Sequence, residues 1–132
     1  MLEFNERWIR VCWDDSIRAI FVEWKAYADG DEYRAGLDAL YNLLCQKRAD
    51  RYLVDCRRLG PISQDDQRWT NSDWFPRMIA GGLRYIAIVS PTAAVARLSV
   101  KQILSKVDKV NLLTAHFDDM AAAKSWIRHE GR

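Results

Sequence analysis

Three cysteines, two histidines and no long apolar run leave few chemistries open to this 132-residue chain. Cys12, Cys45 and Cys56 are odd in number, form no C-x-x-C pair and show no Cys/His ligand spacing, which argues against a disulfide framework and against zinc. The opening residues MLEFNE have neither the basic stretch nor the apolar core of an export signal. Reduced thiols without an export signal point to the cytoplasm. No apolar segment approaches the roughly 20 residues of a spanning helix, so the chain is not expected to cross a membrane. Charge of one sign is also lacking. Twenty basic and 18 acidic residues are intermixed, with a net charge of +2, too dispersed for a nucleic-acid footprint. The densest basic stretch (Lys47, Arg48, Arg51, Arg57, Arg58) is broken by Asp50 and Asp55 and reads as a solvated rim. No glycine-rich phosphate loop, dinucleotide fingerprint or HExxH motif is present, and no cofactor is expected.

What is present suits one globular domain. Apolar residues make up 49% and charged residues 29%, and a chain of this length buries roughly two-thirds of its unfolded surface. Six tryptophans are unusual in so short a chain.

The apolar pattern gives a regular order of elements. Residues 7–13 alternate, with Ile9, Val11 and Trp13 on one face, and 18–24 are apolar and β-branched or aromatic. The short Asp14–Ile17 connection makes these two an antiparallel hairpin. After Asp29-Gly30-Asp31, the residues Tyr33, Leu37, Leu40, Tyr41 and Leu44 fall on one face of a helix ending near Arg48. Residues 51–56 read as a short buried strand. Ser63 reads as the N-cap of a helix whose first turn carries Asp65 and Asp66. Pro76 predicts two short helices between Trp69 and Ala80, the second capped near Ser72 or Asp73. Residues 83–89 form the most apolar strand. Ser90-Pro91 reads as an N-cap and first turn, followed by a stripe of Ala96, Val100, Ile103, Leu104 and Val107. A last strand at 110–115 and a helix capped by Asp118 complete the order β-β-α-β-α-β-α-β-α. The expected fold is α/β, a mostly parallel five-stranded sheet with an antiparallel first strand.

Several stretches resemble the STAS domain, the SpoIIAA-like fold, and within it small stand-alone bacterial proteins. They are Phe21–Lys25 (FVEWK), Tyr33–Gly36 (YRAG), Leu53–Cys56 (LVDC), Trp69-x4-Trp74-Phe75-Pro76-Arg77, Ala80–Leu83 (AGGL), Ala87–Pro91 (AIVSP) and Phe117-Asp118. The resemblance covers the chain beyond Glu6. It implies a non-enzymatic regulatory or protein-interaction module. Through the related CRAL-TRIO fold, it also implies a second possibility, a binder of small apolar or lipid-like ligands. The sporulation regulators of that group carry a phosphorylated serine in an Asp-Ser-Ser-Gly-like stretch. Here the matching segment is Gly60–Asp66, with Ser63 in a similar place but without the motif.

The residues themselves point to a tentative ligand or partner surface. Asp55 ends a buried strand at the edge where open α/β sheets bind ligands, unless it simply caps the next loop. The loops at that edge carry Trp24, Lys25, Asp55 to Ile62, Ser90 and His116, and Ser63 joins the same candidate surface. Trp69, Trp74 and Phe75 either wall a ligand site or pack a broken helix, and Arg77 beside them either binds an anion or pairs with an acid. Cys56 has two following arginines, but a cysteine at a strand end is usually a small hydrophobe. The hairpin edge and the tryptophan segment are candidate surfaces for a homodimer.

Overall fold

Two strand pairs are antiparallel and three are parallel in one sheet whose spatial order follows the chain. The computed structural model describes residues 3–107 and 109–132. Its strands are β1 (Glu3–Asn5), β2 (Ile9–Asp14), β3 (Ala19–Trp24), β4 (Arg51–Asp55), β5 (Tyr85–Val89) and β6 (Leu113–Phe117). The α/β class holds, but the described residues form six strands rather than five. The additional strand is β1, pairing Glu3, Phe4 and Asn5 with Cys12, Val11 and Arg10. Three residues are too few to show alternation in a sequence. This strand covers the outer edge of the hairpin.

The hairpin turns as its sequence dictates. The Asp14 carboxylate accepts from the Ser16 backbone N–H at 2.9 Å and from its hydroxyl at 2.6 Å, and Arg18 adopts a left-handed φ of 53° before β3 begins. Helix α1 (Asp31–Lys47) buries Tyr33, Leu37, Leu40 and Leu44 as expected, with Leu43 added, while Tyr41 is half-buried. Gly36 lets α1 approach the hairpin closely, because an added Cβ would come within 2.9 Å of the Ile9 Cδ1.

Between Gln64 and Ala80 the chain does not break. Helix α2 (Gln64–Trp69) passes through one π turn (Thr70–Trp74) into α3 (Phe75–Ala80), and neither Ser72 nor Asp73 acts as a cap. The Phe75 N–H donates to Thr70 C=O, five residues back. Pro76 has no N–H to give and its ring crowds the carbonyl four residues earlier. A widened turn just before it accommodates both. The extra residue also brings Thr70, Trp74 and Phe75 inward together.

Three boundaries shift from their sequence expectation. Helix α4 (Ala94–Leu104) starts later than Ser90-Pro91, because Ser90 N–H donates to Phe117 C=O and Thr92 N–H to Arg57 C=O, tying that segment to loops. Strand β6 lies three residues further on than expected; Leu112 is buried and Val110 is 92% exposed. Helix α5 (Met120–His129) is capped by Asp119, whose carboxylate accepts from Ala122 N–H at 3.0 Å, and not by Asp118.

The helices sort to opposite faces. On one, α5 packs Ala123 and Ile127 onto Ala19, Leu53, Ala87 and Val89. On the other, α1, the π-bulged helix and α4 cover Val22, Tyr52, Val54, Ile86 and Ile88. Strand alternation alone assigns these faces. The buried Arg51 ties α5 down, donating to Ile127 C=O at 3.0 Å and Glu130 C=O at 2.5 Å, pairing with Asp50 at 2.7 Å and lying over the Tyr85 ring. Among the described residues, no helix is long and apolar enough to cross a membrane.

Candidate functional site

A cavity of about 80 Å³ lies between the sheet and the helices of the α1/α4 face. Its floor is Val22, Tyr52, Val54, Ile86 and Ile88, and its walls include Trp24, Tyr33, Trp74 and Phe75, with Val100, Ile103 and Leu104 of α4 above. Large aromatics keep it open. Trp24 stacks on Tyr33 with ring centroids 5.5 Å apart, Tyr52 meets Trp74 edge-on at 6.3 Å, and Trp74 meets Phe75 at 4.8 Å. Trp74 Nε1 donates to Leu37 C=O at 2.7 Å, which fixes the indole, and that residue is 1% exposed.

Three polar groups interrupt the apolar lining. The Thr70 hydroxyl donates to Asp66 C=O at 2.7 Å, so the Tyr33 hydroxyl, 2.7 Å from Thr70 Oγ1, is the donor to it. The Tyr52 hydroxyl has no hydrogen-bond partner among the described residues, although Tyr52 is 6% exposed; it lies near Cys56 and Tyr33, both of which line the cavity. Burial pushes both phenols well above their ordinary range, so both stay protonated. Burial, reinforced by Asp55, likewise raises the Cys56 thiol, which keeps it a weak nucleophile.

The eight residues singled out in the sequence do not form one surface. Trp74 and Phe75 line the cavity. Trp69, from the same segment, is half-buried and edge-on to Tyr33 at 6.3 Å, with Arg34 5.3 Å and Arg77 5.8 Å from its ring. Arg77 also lies over Tyr41 and pairs with Asp38 at 2.7 Å and Asp73 at 2.8 Å, so its cation is used within the fold. Ser63 is the α2 N-cap, accepting from Asp66 N–H at 3.2 Å. Asp66 in turn accepts from Gly30 N–H at 2.8 Å and Arg34 Nε at 3.2 Å, joining α2 to the start of α1.

Asp55 shares the α5 face with Leu53, as strand alternation requires, and so points away from the cavity. It borders a separate shallow cleft with Glu23, Arg57 and Thr92. Its carboxylate accepts from the Arg57 backbone N–H at 3.1 Å and from the guanidinium at 3.0 and 2.8 Å. Burial acts to raise its pKa, but these bonds and the Arg57 charge outweigh it and hold the carboxyl below its ordinary range.

Ser90 and His116 do come together. They line a groove of about 490 Å³ between α4 and β6, together with Thr114, Lys101 and Lys109. Val100 and Leu104 line both the groove and the cavity. The sequence reading missed Tyr33, Tyr52, Lys101 and Lys109. The even-numbered positions of β4 place Tyr52 beside Val54 on one face, and that period-2 rule is the signal that finds it.

A scan of protein-family models gives no match to this chain, and neither do searches of curated proteins and of solved structures.

Proposed function

We propose that this domain is a non-catalytic binding module whose ligand is a small, mostly apolar molecule held in the cavity beneath α4. One observation carries the reading. Tyr52, whose hydroxyl makes no hydrogen bond among the described residues, lines a mostly apolar space walled by large aromatic side chains. A ligand oxygen would give that hydroxyl the partner it lacks within the fold. Apolar cavities of about 150 Å³ stay dry and take up small hydrophobic molecules, and this one is about half that size. The protonated thiol of Cys56 and the internal pairing of Asp55 support binding rather than turnover.

The test uses the tryptophans already in the wall. Titration with 1-hexanol is expected to change the fluorescence of Trp24 and Trp74 saturably, and Val54→Phe, which fills the floor, is expected to abolish the change while leaving the circular dichroism intact. A wild-type spectrum unmoved by hexanol, or an equal response in the filled variant, would sink the proposal.

A STAS-like regulatory or protein-interaction role is the second reading, and the outer surface of α4 favours it. Val95 is 60% and Leu98 54% exposed there, and exposed apolar side chains mark contact surfaces. The tryptophan segment offers no such surface, since Trp74 and Phe75 are buried. If copies of the chain associate through α4, light scattering is expected to show a dimer that Val95→Lys with Leu98→Lys dissociates. A dimer unchanged by the pair would overturn this second reading.

A further inference from the structure

The groove beside the cavity differs from the rest of the molecule in its charge. The chain as a whole nearly balances 20 basic against 18 acidic residues. The groove, in contrast, is lined by Arg97, Lys101 and Lys109 with His116, and by no carboxylate among the described residues. Arg97 is partly occupied, donating to Pro91 C=O at 3.1 Å and Thr92 C=O at 2.9 Å. Lys101 and Lys109 have no ion-pair partner among the described residues. The Ser90 and Thr114 hydroxyls lie in the same groove, and His116 can donate from a ring nitrogen in either neutral tautomer.

Groove and cavity are neighbouring parts of one sheet face. The register runs Val54 to Ile88 to His116 in one row and Tyr52 to Ile86 to Thr114 in the next. Val54, Tyr52, Ile88 and Ile86 floor the cavity, and His116 and Thr114 line the groove one strand further on, a step of about 4.8 Å. Val100 and Leu104 of α4 line both spaces. Helix α4 packs against α2 and closes over the cavity with Val100, Ile103 and Leu104.

We infer that cavity and groove are two ends of one site, and that its ligand is an amphipathic monoanion. Its short apolar chain lies in the cavity and its anionic head against Lys101, Lys109 and His116. A charged head explains why cations gather beside an apolar space with no carboxylate among the described lining residues. The shared wall of α4 explains how a molecule of few atoms reaches both. The inference rests on the binding reading proposed above and adds the class of ligand to it.

The test compares hexanoate with 1-hexanol by calorimetry at low salt, which separates the head from the chain. Charge-assisted hydrogen bonds make hexanoate bind about tenfold tighter than hexanol. Combining Lys101→Glu with Lys109→Glu, both at exposed positions, is expected to remove that advantage and leave hexanol affinity unchanged. Added salt is expected to erode the hexanoate advantage alone. If hexanol binds and hexanoate binds no tighter, or keeps its advantage in the double variant, the two-ended site is overturned and the cavity reading stands. If hexanoate binds through the lysines but is indifferent both to Val54→Phe and to Tyr52→Phe, while hexanol does not bind, both the cavity reading and the two-ended site fail.

Discussion

The two faces of the sheet are filled in opposite ways. Against α5, Ala19, Leu53, Ala87, Val89, Ala123 and Ile127 are fully buried, with Phe21, Tyr85, Phe117 and Trp126 packed around them. Against α1 and α4 the side chains are large, with Trp24, Tyr33, Tyr52, Trp74 and Phe75 around a cavity of about 80 Å³. Small side chains let a helix settle onto a sheet, and Gly36 does the same where α1 crosses Ile9. Large, rigid aromatics hold α4 off. The first face is built for stability and the second keeps space at the cost of packing.

Substitutions can break that contrast. The largest effect belongs to the tight face, where Ile127→Ala leaves a hole that cannot collapse. It is expected to cost about 2–5 kcal/mol in urea unfolding. Arg51→Met removes the donors that hold the end of α5 and strips Asp50 of its partner; a loss of about 2–3 kcal/mol by the same measurement is expected. Small-to-large changes then sharpen the comparison directly. Ala87→Val forces a methyl into full packing and is expected to cost about 1–3 kcal/mol, whereas Val54→Leu on the other face grows into the cavity and should cost less than about 1 kcal/mol. Equal costs would mean that the two faces are packed alike.

The smallest effect is electrostatic. Arg57 holds the Asp55 carboxyl below its ordinary range in the folded chain. Its contribution to stability is therefore complete above the unfolded carboxyl value, about pH 4, and is lost as pH falls through the lower folded value. Asp55→Asn is expected to flatten the acid limb of a stability-versus-pH curve and to leave hexanol binding intact, since Asp55 faces away from the cavity. A parallel loss of binding would contradict that placement.

Much of the scaffold was legible because its signals are local and periodic. The hairpin, α1, the Ser63 cap and the central strand each follow from alternation, helical spacing or capping chemistry within a few residues. The misses have physical causes of the same scale. Strand β1 is too short to show a period, and Pro76 suggested a break where one wider turn was enough. The Ser90-Pro91 cap lost to hydrogen bonds that Ser90 and Thr92 N–H donate to the carbonyls of Phe117 and Arg57, which are distant in sequence. The site was harder to read. Trp74 and Phe75 line the cavity, whereas Trp69, five residues before Trp74, is spent on Arg34 and Arg77. Asp55 drew notice by its position at the strand end, while its neighbour three residues back, Tyr52, carries the unpaired hydroxyl. No single segment could show that Lys101 and His116 face one groove, because only the pairing of β5 with β6 under α4 brings them together.

The claim at the centre is that Tyr52 holds its hydroxyl ready for a ligand and not for the fold. Tyr52→Phe separates the two, measured as urea stability and hexanol affinity on the same protein. Removing a hydroxyl that makes no hydrogen bond within the fold is expected to leave stability unchanged or raise it by up to about 1 kcal/mol, and to weaken hexanol binding by about three- to tenfold. A variant that binds hexanol as well as the wild type, or that loses stability because the hydroxyl was serving the core, would contradict the account.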